Sequence, residues 1–270
     1  MMHRVAAIQM TSTDRVSDNL DQLKKLIDQA VATQAKMIVL PENFAIMGDE
    51  QAKLKNQEIV GEGLIQNFLK NQAITHGIWI VGGTVPLSVP DHHDKVFAAC
   101  LVYDDQGRCV ARYNKMHLFD VEVPQTGEQY FESKHILPGD DIVVLDTPLG
   151  KLGLAICYDI RFPELFRRLQ LKGAEIIALP AAFTVPTGLA HWDILVRARA
   201  IENQLYMVAA AQTGMHANGR QTYGHSMIVN PWGEVTASLA TEKGVISAEV
   251  DLHFLRQIRQ DFPALKHRRD

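Results

Sequence analysis

Short runs rich in valine and isoleucine alternate with amphipathic helical patterns along nearly the whole sequence, and this alternation constrains the fold more than any other feature. Such a run, followed by apolar residues at three- and four-residue intervals, reads as a strand fed by a crossover helix, which is the signature of the α/β class. The first strand is expected over 4–10 (RVAAIQM). From Ser17 onward Leu20, Leu23, Ile27 and Val31 fall on one helical face, with Ser17 placed to cap it. A strand follows at 37–40, a helix runs from about Glu62 to His76 and stops near Gly77, and IWIVGG at 78–83 gives the next strand. Two hairpins are expected, over 96–113 with a reversal at Asp104 to Gly107, and over 142–156 with a reversal at Pro148 to Lys151. Pro163 suits the first turn of a helix over 163–172, because its missing N–H is not needed there. A strand at 175–179, a helix at 190–203, a strand at 205–211, three strands within 222–250 and a last helix from about Leu252 complete the pattern.

The segments IVLPENF at 38–44 and IALPAAF at 177–183 share an apolar run, then Leu-Pro, two residues and Phe. Two similar half-sheets related by a pseudo-twofold axis would account for the echo. Glu42 and Ala181 are then equivalent positions, and only the first half carries a carboxylate. No linker, low-complexity segment or charge block divides the chain, so residues 1–270 read as one domain. A chain this long buries roughly three quarters of its unfolded surface and needs neither disulfides nor structural metal.

The three cysteines, Cys100, Cys109 and Cys157, are odd in number, far apart and without a CxxC, which makes a poor disulfide framework and a poor zinc site. A reducing compartment is expected, with Cys100 and Cys109, inside β runs, read as core. The 27 Lys and Arg against 31 Asp and Glu give a net charge of −4, which offers no field to attract nucleic acid or an acidic membrane. The opening residues are too short an apolar stretch for a signal peptide, and no run approaches the ~18 apolar residues of a membrane span. Small molecules are the expected partners and the cytoplasm the expected location.

Glu42 follows an apolar strand and a proline, where α/β folds present functional groups, although a Glu there also serves as a cap or an ion-pair member. Cys157 has the same address, after LGLAI and before a helix. It reads either as a small buried hydrophobe or as a nucleophile on a sharp turn whose N–H groups and helix dipole favour a thiolate and then an oxyanion. Lys115, in RYNKMHLFD, either snorkels or donates to a developing oxyanion.

Together PENF with Glu42, YNKMHLFD with Lys115 and AICYDIRFPE with Cys157 resemble, in the same order, the three signature segments of the nitrilase superfamily of carbon–nitrogen hydrolases. The similarity runs through AHWDILVRARAIENQLYMVAAAQTG and YGHSMIVNPWGEV to the closing HRRD, and these segments look most like the branch that hydrolyses deaminated glutathione, with omega-amidases as near neighbours. The resemblance implies a four-layer α-β-β-α sandwich in which Glu42 is general base, Lys115 and the Tyr158 N–H hold the oxyanion and Cys157 attacks the carbonyl. Glu132 matches the family's second glutamate. Tyr-Asp after the cysteine, where nitrile hydrolases show Trp-Glu, favours an amidase. The resemblance also implies a homodimer, to which the C-terminal LHFLRQIRQDFPALKHRRD would contribute, and no cofactor or metal.

Arg161, four residues after Cys157, reads as a helix-start residue or as a clamp for a substrate carboxylate. Residues from Thr184 to His191 follow the second Leu-Pro motif and form a candidate substrate wall. A rival scheme pairs Cys157 with His117 or His191, though neither histidine is tied to a cysteine by a motif. A binding protein that retains the fold without catalysis is the alternative of a different class, and it would be favoured by loss of Glu42, Lys115 or Cys157.

Overall fold

A computed structural model of the chain describes residues 3–124 and 126–269; Met1, Met2 and Asp270, the ends of two segments discussed above, lie outside them. The first half builds β1 (His3–Gln9), α1 (Val16–Ala32), β2 (Met37–Val39), α2 (Glu50–Lys55), α3 (Leu64–His76), β3 (Trp79–Val89), β4 (His92–Tyr103) and β5 (Cys109–Asn114). A two-stranded ribbon, β6 (Asp120–Glu122) and β7 (Gln129–Phe131), leads to the second half. There follow β8 (Val144–Thr147), β9 (Gly150–Leu154), α4 (Pro163–Leu171), β10 (Ile176–Ala181), α5 (Val185–Asn203) and β11 (Tyr206–Ala211). The chain closes with β12 (Thr213–Met215), β13 (Gln221–Tyr223), β14 (Met227–Val229), β15 (Val235–Ser238), β16 (Gly244–Val250) and α6 (Leu252–Asp261).

Two six-stranded sheets carry the echo seen in the sequence. Their orders are β16-β1-β2-β3-β4-β5 and β15-β14-β11-β10-β9-β8. In each, three parallel strands (β1-β2-β3 and β9-β10-β11) are flanked by antiparallel ones. The two Leu-Pro motifs run out of the middle parallel strands, β2 and β10. Because side chains alternate across a strand, Val5 and Ala7 of β1 face the second sheet and pack in one core with Leu154, Ala178 and Ala209. Ala6 and Ile8 face outward and pack with Leu23 and Ile27 of α1 and Leu69 of α3. The other sheet is covered by α4 and α5 through Leu165, Phe166, Val196 and Ala200, which completes the four layers. Truncating one such side chain, as in Leu23→Ala, costs about 2–5 kcal/mol.

Several boundaries differ from the sequence reading. Arg15, not Ser17, is the N-cap of α1; Ser17 lies inside the helix with its hydroxyl on Asp18 at 3.1 Å. Helix α5 begins at Val185 with Pro186 in its first turn, well before residue 190. The stretch expected to hold three strands holds four, counting β13, and β12 precedes them. Cys100 is buried as expected, but Cys109 is exposed, because it stands at the start of the edge strand β5.

Candidate active site

The residues of interest leave the ends of strands that belong to different sheets and meet where the two sheets face each other. Glu42 follows β2. Its loop is fixed by Leu40 N–H donating to the Val81 carbonyl (3.0 Å), by Asn43 N–H donating to Thr84 Oγ1 (2.8 Å), and by Gln212 Nε2 donating to the Glu42 carbonyl (3.0 Å). Gly83, with φ +41°, runs so close beneath this loop that a Cβ would overlap the Pro41 carbonyl oxygen and crowd the Phe44 ring. Lys115 follows β5 and is fastened through its own N–H to the Ala98 carbonyl at 3.0 Å. Glu132 opens a helical turn just after β7.

Both glutamates converge on one ammonium. Lys115 Nζ donates to Glu42 Oε1 at 2.8 Å and to Glu132 Oε1 and Oε2 at 3.0 and 2.8 Å, with the lysine side chain 2% exposed. Glu132 Oε2 also accepts from Phe119 N–H at 2.8 Å. Burial by itself would lower the Lys115 pKa, but the charges of Glu132 and then Glu42 outweigh it and raise the pKa above its ordinary value. Burial pushes Glu132 up, yet Lys115 and then Lys53 overcome that and hold its carboxyl at about 2. Lys115 and Glu132 are therefore charged at neutral pH.

Cys157 begins the turn after β9 with φ +46°, a left-handed conformation that a non-glycine residue adopts only where its surroundings enforce it. Asp159 supplies much of that enforcement. Its Oδ2 accepts from Ile156 N–H at 2.8 Å and from the Tyr113 hydroxyl at 2.7 Å, and its Oδ1 accepts from His117 N–H at 3.0 Å. The Cys157 Sγ accepts from Ala182 N–H at 3.5 Å. Burial first, and the Glu42 carboxylate second, push the thiol pKa well above its ordinary value, against the pull of Lys115. The resting group is a thiol, with a carboxylate beside it that can take its proton.

Glu42, Lys115, Glu132, Cys157, Tyr158 and Thr184 all line one cavity of about 550 Å³, a volume suited to a small molecule. Arg161 and His191 stand outside that lining, paired with each other at 3.2 Å between Arg161 Nη1 and His191 Nδ1, with the guanidinium over the rings of Phe183 and Tyr158. His117 gives its Nδ1 to Asp159 Oδ1 at 2.7 Å and stacks on Phe162, so it is occupied away from the thiol. Two cations that line the cavity escaped the sequence reading: Lys53 on the short α2, and Arg220 at the end of the turn between β12 and β13. Asn218-Gly219-Arg220, a tight turn between strands, was the one legible signal for Arg220. Among the described residues no group of three or more His, Cys, Asp or Glu side chains is placed to hold a metal ion.

Residues 4–260 match the Carbon-nitrogen hydrolase family. A relative from Synechocystis sp., named deaminated glutathione amidase, is 42% identical over 265 residues, covering 97% of this chain and 97% of its own. One of the same name from Homo sapiens is 40% identical over 269 residues, covering 98% and 82%. The crystal structure of the C. elegans NitFhit protein superimposes with a TM-score of 0.92 at 39% identity, over 99% of this chain and 65% of that one, so the present chain spans somewhat under two thirds of that protein. With a family match over nearly its whole length, the chain belongs to the carbon-nitrogen hydrolase family of the nitrilase superfamily.

Proposed function

We propose that this protein is a thiol-dependent amidase that hydrolyses deaminated glutathione to 2-oxoglutarate and cysteinylglycine. The observation that carries the reading is the Lys115 ammonium bonded to Glu42 and Glu132 in the cavity that Cys157 lines. Glu42 accepts the Cys157 proton as Sγ bonds to the amide carbonyl carbon and the carbonyl π electrons move onto oxygen. Lys115 and the Tyr158 N–H hold that oxyanion. When it collapses, the C–N bond breaks, Glu42 returns the proton to the departing nitrogen, and a thioester remains. Water then gives a proton to Glu42 and its oxygen attacks the thioester carbon; the C–S bond breaks and Sγ regains a proton. The sum is one amide and one water converted to one acid and one amine.

The substrate class is supported by the shared name of relatives at about 40% identity over nearly the whole chain. Tyr158 and Thr184 line the cavity as walls of the acyl site, and Arg161, outside the lining but packed over Tyr158 and held by His191, is the clamp assigned to the 2-oxoacid end. The test is kcat/KM for deaminated glutathione and for 2-oxoglutaramate with purified protein. Preference for the first is expected; a clear preference for the second makes the protein an omega-amidase, and turnover of neither defeats the substrate reading. The same proposal includes a cytoplasmic homodimer. Leu189, Ile194 and Ile201 leave α5 apolar on its exposed side, beside exposed Trp232 and Phe262, a combination that suits a second copy. Light scattering should give twice the mass of 30.2 kDa at micromolar concentration.

A further inference from the structure

Two cations in the cavity have no part in the chemistry proposed above. Lys53 makes no hydrogen bond or ion pair among the described residues, yet it lines the cavity that holds Cys157. Burial draws its pKa down, Glu132 and Glu42 pull it up, and Lys115 and Arg220 draw it down further. It is a partly desolvated ammonium with no direct counter-ion. Arg220 gives one nitrogen to the Ala182 carbonyl at 2.6 Å and packs over Tyr130, with its guanidinium 5.0 Å from the ring centre. Its buried Nε has no hydrogen-bond partner among the described residues. Ala182 is also the residue whose N–H touches Cys157 Sγ, so Arg220 is anchored one residue from the nucleophile.

We propose that Lys53 and Arg220 form the subsite for a carboxylate borne on the amine portion of the amide, the portion that departs when the thioester forms. The proposal rests on the amidase reading above and specifies where its selectivity arises. Direction follows from the proton: the departing nitrogen has to stand beside Glu42 to be protonated, and groups attached to it extend to the Glu42 side of the cavity. Lys53 is on that side: it lines the cavity together with Glu42 and Glu132 and also borders Asn43, the residue after Glu42. Arg161 stands apart from it, outside the cavity lining, with its guanidinium 5.8 Å from the centre of the Tyr158 ring. One cationic pair thus lies within the cavity lining and a third cation beyond Tyr158, which suits a substrate with two carboxylates.

Charge points the same way. Without Lys53 and Arg220 the formally charged side chains of the lining would sum to three net negative charges and repel a dianion; the two cations cut this to one. Asp49 and Glu128 also line the cavity. Asp49 is engaged in capping α2 through Ala52 N–H at 2.8 Å, and Glu128 accepts from the Tyr130 hydroxyl at 3.0 Å. A bidentate carboxylate would satisfy the orphaned Arg220 Nε and give Lys53 its missing counter-ion.

The test crosses substrate with protein. Binding to full-length Cys157→Ala protein is measured by calorimetry for deaminated glutathione and for the analogue whose glycine carboxylate is a carboxamide. The carboxamide should bind at least about tenfold more weakly, and adding K53M or R220Q should shrink that penalty to about threefold or less. Equal binding of the two compounds, including no binding of either, overturns the proposal without any change at the two cations. So does a penalty that survives both substitutions, and K53M answers alone if R220Q fails to fold for want of the Ala182 contact. Turnover by the unsubstituted protein is read separately: hydrolysis of deaminated glutathione without a carboxylate preference defeats the subsite and spares the amidase reading. Absence of hydrolysis with the preference intact does the reverse.

Discussion

Lys115 Nζ is held by both carboxylate oxygens of Glu132, at 3.0 and 2.8 Å, from 17 positions away in the chain. With the third bond to Glu42 at 2.8 Å, all three ammonium hydrogens are used. In the proposed reaction an oxyanion can reach Lys115 only by displacing one of these bonds. Glu132 is the partner suited to yield, because its Oε2 keeps the Phe119 N–H when Oε1 lets go. The lysine is thereby aimed before substrate arrives, and little reorganisation accompanies the transition state.

Replacing Lys115 by Met should abolish nearly all turnover, a loss of at least about 100-fold in kcat/KM, since it removes the proposed oxyanion donor. It also leaves two buried carboxylates without their cation, which costs on the order of 3–5 kcal/mol of stability at neutral pH. Urea unfolding beside steady-state kinetics checks both parts. A K115M protein with unchanged stability would mean that the cluster is not held by this ion.

The E132Q variant should separate stability from pH. The folded Glu132 carboxyl is held near 2 against an ordinary value of 4.5, so the unfolded chain binds more protons between those values. The contribution is fully present above pH 4.5 and is lost as pH falls toward 2. E132Q should therefore be less stable than the parent at pH 7, by on the order of 3 kcal/mol, with the gap closing over that acid range. A gap that stays constant down to pH 3 would contradict the ion-pair account.

The meeting of Glu42, Lys115 and Cys157 in one cavity was legible because each follows a β run and stands within a motif, so strand-end position and resemblance agreed. Glu132 had only the motif, since the ribbon β6-β7 that delivers it has three-residue strands, too short for a readable period. The Leu-Pro echo was readable for a physical reason: β2 and β10 are the middle strands of two parallel trios and are buried on both faces, which demands the same apolar run. Lys53 had no such signal, because α2 is six residues long and lies between loops. The early start of α5 was hidden because its apolar residues are spread around the helix, so no stripe marks where it begins.

Gly83→Ala should damage the reaction from beneath. A Cβ at this position meets the Pro41 carbonyl and the Phe44 ring, and φ +41° adds strain for any side chain. The loop that carries Glu42 has to move, and a shift near 1 Å at a catalytic group costs roughly 100-fold. The expected result is a kcat loss larger than any change in KM, in a protein that still unfolds cooperatively. Full activity in G83A would show that Glu42 does not depend on this contact.

The last prediction concerns where the thiol proton goes. Burial and then the Glu42 carboxylate keep Cys157 protonated at neutral pH, so a free thiolate would form only far above it. If Glu42 takes the proton directly, the reactive pair of thiolate and protonated Glu42 contains the same number of protons as the resting pair, and its population does not depend on pH. Alkylation by iodoacetamide, which needs a thiolate but no proton for its leaving iodide, should then vary little between about pH 6 and 9 in the parent protein. In E42Q the proton has to leave for solvent, and the rate should climb about tenfold per pH unit until the thiol titrates. Amidase turnover in E42Q should stay low across the whole range, because the departing amine still lacks its acid. A tenfold-per-unit slope in the parent would mean that Cys157 ionises to solvent and that Glu42 is not its base.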